Sequence, residues 1–274
     1  MSVSSRLDRL SALLEALAPR VELIRAECPE PTASATRCLE LYLLTRGDAV
    51  LTGPNAARRI AAPSLVVCRS DLAHHLSAVG EEGLGHLVRA KVFVEGPAGV
   101  LLFNEFAEAV VLSLAQTDTA LSQAVALISS ELAMPRCGQP ALLNRAGDIL
   151  FIGLLRHLVA HPATGRGLFN GLADPRIARS LVALHSVPQE AWTLERMAAE
   201  AGMSRTAFAN AFRDAMNQTP GKYLGMLRLA IARSAVAAGH GLKRAARESG
   251  YASSSALSRA LSRTPDEEGA GRRA

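Results

Sequence analysis

The spacing of apolar positions changes period along the chain. Between residues 38 and 115 they fall in short runs, Leu39 to Leu44, Ala49 to Leu51, Leu65 to Cys68 and Leu87 to Val94, separated by Gly47-Asp48, Gly53-Pro54-Asn55 and Gly96-Pro97. Short apolar runs bounded by turn residues predict strands, and strands this closely spaced predict a sandwich or barrel. Ahead of them, Leu7, Leu10, Leu14, Leu17 and Val21 recur at helical spacing with Asp8 and Glu15 between. That predicts an amphipathic helix and not an export segment. From Asp118 the helical period takes over. Leu121, Val125, Ile128 and Leu132 form one stripe ending at Pro135, and Leu143, Leu150, Leu154 and Leu158 form another ending at Pro162, which predicts an αα-hairpin. Gly165 to Pro175 reads as a Gly-rich connector, and Ile177, Leu181 and Leu184 open a further helix.

The last third of the chain contains an internal repeat. Leu194-Glu-Arg-Met-Ala-Ala-Glu-Ala-Gly202 and Leu242-Lys-Arg-Ala-Ala-Arg-Glu-Ser-Gly250 match position for position, 48 residues apart. Each reads as two helical turns ending on a glycine, which supplies the left-handed conformation for leaving one helix and starting the next. Ser204 and Ser253 follow as N-caps, and the second helices are predicted over Arg205 to Met216 and Ser254 to Arg263. Phe208 and Phe212 in the first copy correspond to Leu257 and Leu261 in the second. This is the pattern of a duplicated helix-turn-helix; the alternative is a helical bundle in which the repeated small residues serve packing alone. Between the copies, Thr219 as N-cap and Pro220 in the first turn start a helix through Leu224, Leu227 and Ile231 to about Ala238. At 1.5 Å per residue it is roughly 27 Å long, close to what places two recognition helices in successive major grooves.

Composition narrows the class. With 49% hydrophobic and 20% charged residues the chain can bury a core, and with 4% aromatic residues it is not built of strands from end to end. Its most apolar stretches, Ala109 to Ala115 and Ile149 to Leu155, are far shorter than the roughly 18 residues of a membrane span, so a cytoplasmic protein without membrane association is expected. The net charge of +5 is unevenly placed: residues 176–274 carry 15 Lys and Arg against 8 Asp and Glu, and residues 1–175 carry 15 against 17. A basic C-terminal third points to a polyanion, with nucleic acid foremost.

On these residues the chain resembles the AraC/XylS family of bacterial transcription regulators. The resemblance is carried by Trp192-Thr-Leu-Glu-Arg-Met-Ala-Ala-Glu-Ala-Gly-Met-Ser-Arg-Thr-Ala-Phe-Ala-Asn-Ala-Phe-Arg213, Thr219-Pro220, Tyr223, Leu227-Arg228-Leu229, Ala232, Gly250-Tyr251 and Ser253. Upstream, Leu172-Ala-Asp-Pro-Arg-Ile, Leu184-His185, Pro188 and Ala73-His74-His75-Leu76 are similar to the subgroup with an N-terminal cupin sensor. The resemblance implies an α+β multidomain chain. Its parts are a cupin-like β-barrel sensing an effector over residues 1–116, a helical linker or dimerisation hairpin over 117–175, and an all-α double helix-turn-helix over 176–274. Where the family continues through a Gly-x-x-Pro turn into a closing helix, this chain has Arg263-Thr-Pro-Asp-Glu-Glu-Gly-Ala-Gly-Arg-Arg-Ala, which predicts a second half-site contact that is weakened or absent.

The base-contacting candidates follow from their positions on the second helices. In the first unit they are Arg205, Thr206, Ala209 and Asn210, with Arg213 toward phosphate. In the second they are Ser254, Ser255, Ser258 and Arg259, with Arg263 toward the backbone. Asn pairs bidentately with adenine and Arg with guanine, and Ala and the Thr methyl suit thymine. Lys243, Arg244 and Arg247 are read as general electrostatics. In the sensor part, Glu40, His74 and His75 are candidates for an effector pocket. Neither a metal site nor a cofactor is expected, since Glu40, His74, His75 and His86 lack the His-x-His pair of metal-binding cupin enzymes. His157 and His161 have a zinc-compatible spacing without a third ligand, and helix-end capping is preferred for them.

Four cysteines, Cys28, Cys38, Cys68 and Cys137, form no CxxC pair. Arg37 and Arg69 beside Cys38 and Cys68 would suit oxidant sensing if they lower the thiol pKa, and small buried hydrophobes are the alternative. No P-loop, Gly-x-Ser-x-Gly or dinucleotide fingerprint is present, so no enzyme is expected. The favoured function is a sequence-specific, effector-responsive DNA-binding regulator. Its expected partners are promoter DNA, RNA polymerase, a small-molecule or redox effector, and a second copy of the chain. The alternatives are a diverged interaction protein with impaired DNA binding and a cupin enzyme fused to a helical domain.

Overall fold

The computed structural model describes residues 9–25, 37–54, 56–79, 87–94, 96, 98–117, 119–162 and 165–263. Leu7, Cys28, Asn55, His86, Pro97, Asp118 and the tail after Arg263 lie outside them. The described residues separate into two compact units. One draws on Ala18–Glu95 and Phe103–His161, the other on Met1–Leu17, Gly96–Leu102 and Pro162–Ala274.

Among the described residues the first unit has eight strands, β1 (Pro19–Arg25), β2 (Leu39–Leu44), β3 (Asp48–Thr52), β4 (Ala57–Ala61), β5 (Ser64–Arg69), β6 (His75–Val79), β7 (Leu87–Val94) and β8 (Val110–Ser113). They form a five-stranded sheet ordered β1-β7-β2-β5-β8 and a three-stranded sheet ordered β4-β3-β6. The pairings are antiparallel, as in Glu40 opposite Cys68 and Tyr42 opposite Arg89. Tyr42, Leu44, Val66, Cys68 and Leu87 from the large sheet meet Ala49, Leu51, Ile60 and Leu76 from the small one in a single apolar cluster. No described pairing joins the two sheets, so the expected barrel is an open sandwich with two edges per sheet. Every residue of β2 is buried, because as the central strand it is covered on both faces. That burial is why its sequence reads as a continuous apolar run and not an alternating one.

The helical hairpin has the predicted stripes, as α3 (Thr119–Ala133) and α4 (Gln139–Ala160), following the short α2 (Gly99–Glu105). At Gly153 an added Cβ would lie 3.2 Å from the Leu121 side chain, so the two helices approach closely. α4 also covers edge strand β1. Asp148 Oδ1 and Asn144 Oδ1 accept from the Val21 and Leu23 N–H groups at 3.3 and 3.2 Å, and at Gly147 a Cβ would lie 2.5 Å from the Leu23 side chain. The helix thus satisfies donors that an open sheet edge would leave unpaired.

Two expectations near the helical unit are corrected. The N-terminal helix is α1 (Ser11–Leu17) and does not reach Val21: Pro19 breaks the pattern, and Val21 joins β1. The Gly165–Pro175 stretch is not a plain connector but holds α5 (Leu168–Ala173), because Leu168, Phe169 and Leu172 are buried. At Gly171 a Cβ would lie 2.3 Å from Met216 Sδ, so this glycine serves close packing.

After α5 come α6 (Pro175–Ser186), α7 (Leu194–Ala201), α8 (Arg205–Met216), α9 (Pro220–Ala237), α10 (Leu242–Ser249) and α11 (Ser254–Arg263). Asp174 caps α6, with its carboxylate accepting from Arg176 N at 2.8 Å, and Thr219 caps α9, accepting from Lys222 N at 3.3 Å. Among the described residues no helix is long and apolar enough to cross a membrane.

Candidate nucleic-acid interface and buried polar cluster

Each repeat folds as two helices joined across a left-handed glycine, Gly202 at φ 66° and Gly250 at φ 79°. Ser204 Oγ accepts from Ala207 N at 3.3 Å and Ser253 Oγ from Ala256 N at 3.1 Å, so both serines cap as their positions require. The caps fix where α8 and α11 begin and hence which residues face outward. On α8, Phe208, Phe212 and Met216 are buried. Arg205, Thr206, Asn210 and Arg213 are exposed on the opposite side, and Ala209 is half-buried at its margin. On α11, Leu257 is buried and Ser254, Ser255, Ser258, Arg259 and Arg263 are exposed. The candidates therefore form an outward stripe on each second helix.

The two units differ inside. Phe208 and Phe212 pack with tilted rings, centroids 5.5 Å apart, and Phe212 meets Tyr223 edge-on at 5.8 Å. Tyr223 Oη is paired with His185 Nε2 at 2.7 Å, and burial pushes the His185 pKa down to about 4. The second unit is packed with smaller groups: Ala232, Ala235, Ala245, Ala246 and Leu257, with Tyr251 and Leu261 at the margin. Gly250 is held in a tight site, where a Cβ would lie 2.7 Å from Gln189 Cα and 3.0 Å from Arg228 Nε.

Cations surround the second unit. Lys243, Arg244 and Arg247 are exposed on α10, with Arg244 donating to Glu248 at 2.6 Å and His240 Nδ1 3.0 Å from the same carboxylate. An open groove of about 700 Å³ is lined by Trp192, Thr193, Lys243, Arg247, Ser253 and Ser254. Arg228, on its wall, donates to the Pro188 and Glu190 carbonyls at 2.9 and 2.7 Å, so it braces the segment before the first unit. Sequence reasoning missed Glu195, whose Oε1 accepts from Arg205 Nη1 at 3.0 Å. Only the geometry of the turn brings these two together, so no local pattern announces the pair.

In the sandwich, Glu40 and His74 come together and His75 does not: it is exposed on β6. Glu40 has no exposed surface. Its Oε1 accepts from Arg89 Nη2 at 2.6 Å, and its Oε2 accepts from Tyr42 Oη and lies 3.3 Å from His74 Nε2. Tyr42 Oη is also 2.9 Å from His74 Nε2, while His74 Nδ1 donates to the Leu72 carbonyl at 2.8 Å. With Nδ1 committed as a donor, a neutral His74 offers Nε2 as an acceptor for the Tyr42 hydroxyl, and a protonated one donates from Nε2 to Glu40. Proton uptake at His74 thus redirects the single Tyr42 O–H toward the carboxylate. Tyr42 shares a face with Glu40 by the two-residue strand period, a signal the sequence held; Arg89 needed the strand register.

Burial by itself would raise the Glu40 carboxyl, but hydrogen bonds from His74, Tyr42 and Arg89 outweigh it and hold the pKa at about 2. For His74, burial opposes the charged form, and the bonds to Glu40 and the Leu72 carbonyl raise its pKa. Cys68, opposite Glu40, is pushed up to about 12 by burial, and burial likewise raises Cys38. The arginines expected to activate these thiols turn to Asp71 instead, Arg69 at 2.6 Å and Arg37 at 3.3 Å. Both cysteines are therefore held as thiols, the opposite of what oxidant sensing needs. At the end of α4 the His161 N–H donates to the His157 carbonyl at 2.8 Å, and His161 Nδ1 lies 3.3 Å from the same oxygen, the capping role expected for it.

Comparison with known proteins agrees with this organisation. Residues 8–160, more than half of the chain, match the family described as "Cupin", and residues 197–265 match the one described as "Helix-turn-helix domain". A "Putative AraC-like transcription regulator" of Streptomyces lividans is 33% identical over 142 residues, covering 51% of this chain and 47% of that protein. The "HTH-type transcriptional regulator AlkR" of Acinetobacter baylyi is 30% identical over 127 residues, 46% of this chain and 42% of that one. The chain thus spans less than half the length of these curated relatives. Among solved structures, ToxT from Vibrio cholerae aligns over 90% of both chains at 13% identity and a TM-score of 0.38.

Proposed function

The chain belongs to the AraC/XylS family, in the group with an N-terminal cupin domain, and on that premise we propose that it is a sequence-specific DNA-binding transcription regulator whose sandwich senses an effector. The observation that carries this reading is the pair of capped second helices, each presenting a polar, basic stripe outward while its apolar residues face the core. Arg205, Thr206, Ala209 and Asn210 read bases in the first unit, and Ser254, Ser255, Ser258 and Arg259 in the second. Arg213 and Arg263 hold phosphate, with Lys243 and Arg247 adding to the field. The chain acts in the cytoplasm and is not an enzyme, and RNA polymerase is its further partner at the promoter.

The effector is a small molecule whose polar group engages the Glu40–His74–Tyr42–Arg89 cluster, polar groups that adjoin the apolar cluster through Tyr42. A bound effector acts only through a difference in affinity between two arrangements of the protein. The active form is a homodimer joined through the hairpin, where Leu127 on α3, Met134 just after it, and Leu142 and Ile149 on α4 are exposed. Selection of duplexes from a random pool by the purified chain tests the reading, at near-physiological salt because binding to phosphate weakens with salt. Enrichment of a defined motif supports it. Recovery of no motif with or without candidate effectors contradicts it, and favours an interaction protein.

A further inference from the structure

We propose that Glu195 is a positioning residue for base readout. Its carboxylate holds the Arg205 guanidinium at the start of α8, so that the first helix-turn-helix discriminates sharply at the base pair Arg205 meets. This rests on the reading of α8 as a recognition helix and goes beyond it, because Glu195 itself is assigned no base or phosphate.

The geometry fits a positioning role. Thr193 caps α7 and Ser204 caps α8, so Glu195 and Arg205 both stand in first turns whose backbone is fixed by a side-chain hydrogen bond. Glu195 Oε1 accepts from Arg205 Nη1 at 3.0 Å, and the two side chains are 62% and 65% exposed. An ion pair this exposed contributes little to folding. Its effect falls on Arg205, a long side chain that otherwise samples many rotamers and loses that freedom on reaching a base. A guanidinium carries five donors in a rigid fork. With Nη1 tied to Glu195, Nε and Nη2 remain for O6 and N7 of a guanine, the bidentate contact that specifies it.

The internal repeat supplies the contrast. Lys243 stands at the Glu195 position of the second unit and Ser254 at the Arg205 position, so the acid–guanidinium pair has no counterpart there. Both replacements line the open basic groove, where a cation and a hydroxyl suit phosphate better than a base edge. A carboxylate beside DNA opposes binding through charge. Removing Glu195 is therefore expected to leave non-specific binding equal or tighter while discrimination falls, a combination that a misfolded unit does not produce.

The test uses the full chain and a duplex it selects. The base pair under Arg205 is the one at which preference disappears in Arg205→Ala. Affinities for all four base pairs at that position are then compared for the wild type, Glu195→Ala, Glu195→Asp, Arg205→Ala and the Glu195→Ala/Arg205→Ala double variant. The expected result is that Glu195→Ala loses about three- to tenfold of discrimination at that base pair and at no other, part of the gain a bidentate contact supplies. Glu195→Asp retains part of it, and the double variant equals Arg205→Ala. Discrimination unchanged in Glu195→Ala overturns the proposal, as does an equal loss at base pairs that Arg205 does not meet. A wild-type chain that selects no motif overturns the regulator reading and this proposal together.

Discussion

Glu40 and Arg89 are diagonal neighbours on β2 and β7, and their carboxylate and guanidinium meet at 2.6 Å with the acid wholly buried. A buried pair of this kind is costly to break from one side, because the remaining charge has no solvent to receive it. Glu40→Ala is expected to destabilise the sandwich by about 3 to 5 kcal/mol, whereas the joint change Glu40→Leu/Arg89→Met recovers much of that loss. Denaturant unfolding of the single and double variants checks both.

Two histidines give opposite responses to pH. Stability from the lowered Glu40 pKa is fully present above its ordinary 4.5 and is lost as pH falls toward about 2. Stability from the raised His74 pKa is fully present below the ordinary 6.5 and is lost as pH rises through the folded-state value. The cluster therefore contributes most between these two ordinary values. His185, pushed down to about 4 by burial, acts the other way: the helical unit loses stability as pH falls from 6.5 toward 4. Histidine-resolved NMR titration is expected to place the His185 midpoint near 4 and that of His74 above 6.5.

Glycine substitutions separate strain from freedom. Gly250→Ala, at φ 79° with backbone 2.7 Å from the new Cβ, is expected to destabilise by roughly 2 kcal/mol or more. Gly225→Ala, inside α9 with nothing within 4 Å of the new Cβ, is expected to stabilise by roughly 0.5 to 1 kcal/mol. Thermal unfolding gives both signs.

The helical half was largely legible in the sequence because its signals are local. A cap serine, a left-handed glycine and a 3.6-residue period each act within a few residues, and α8, α9 and α11 begin where Ser204, Thr219 and Ser253 place them. The strands were half legible. β2, β3, β5 and β7 lie under the predicted runs, but β4 (Ala57–Ala61) has Ile60 as its one buried residue and offers no apolar pattern. Pairing register is non-local, so Arg89 beside Glu40 could not be read from spacing. His75 was grouped with His74 by sequence adjacency, yet neighbours on an extended chain point to opposite sides.

The smaller core of the second unit has a dynamic consequence. Leu257 is buried among alanines where the first unit packs Phe208, Phe212 and Tyr223 together, so less apolar area holds α10 and α11 in place. Amide hydrogen exchange is expected to show weaker protection in α10 and α11 than in α7 and α8. Equal protection would mean that the alanine packing suffices.

Base readout is divided among few residues. Asn210→Ala and Arg259→Ala are each expected to lose about 1 to 3 kcal/mol of specific binding with little change in non-specific binding. Arg213→Ala, by contrast, is expected to weaken binding to all sequences and to reduce the salt dependence by about one counterion. Titrations of selected and unrelated duplexes at several salt concentrations separate the two behaviours.

The central claim, that both second helices of one chain engage DNA, is tested most directly by spacing. The 18 residues of α9 separate the two units by a fixed strut. Binding is to be compared between the selected duplex and one with about half a helical turn, roughly five base pairs, inserted between the sequences read by α8 and α11. The account predicts that the insertion removes the contribution of α11, lowering affinity at least as far as Arg259→Ala does on the intact site. Affinity unchanged by the insertion would contradict it.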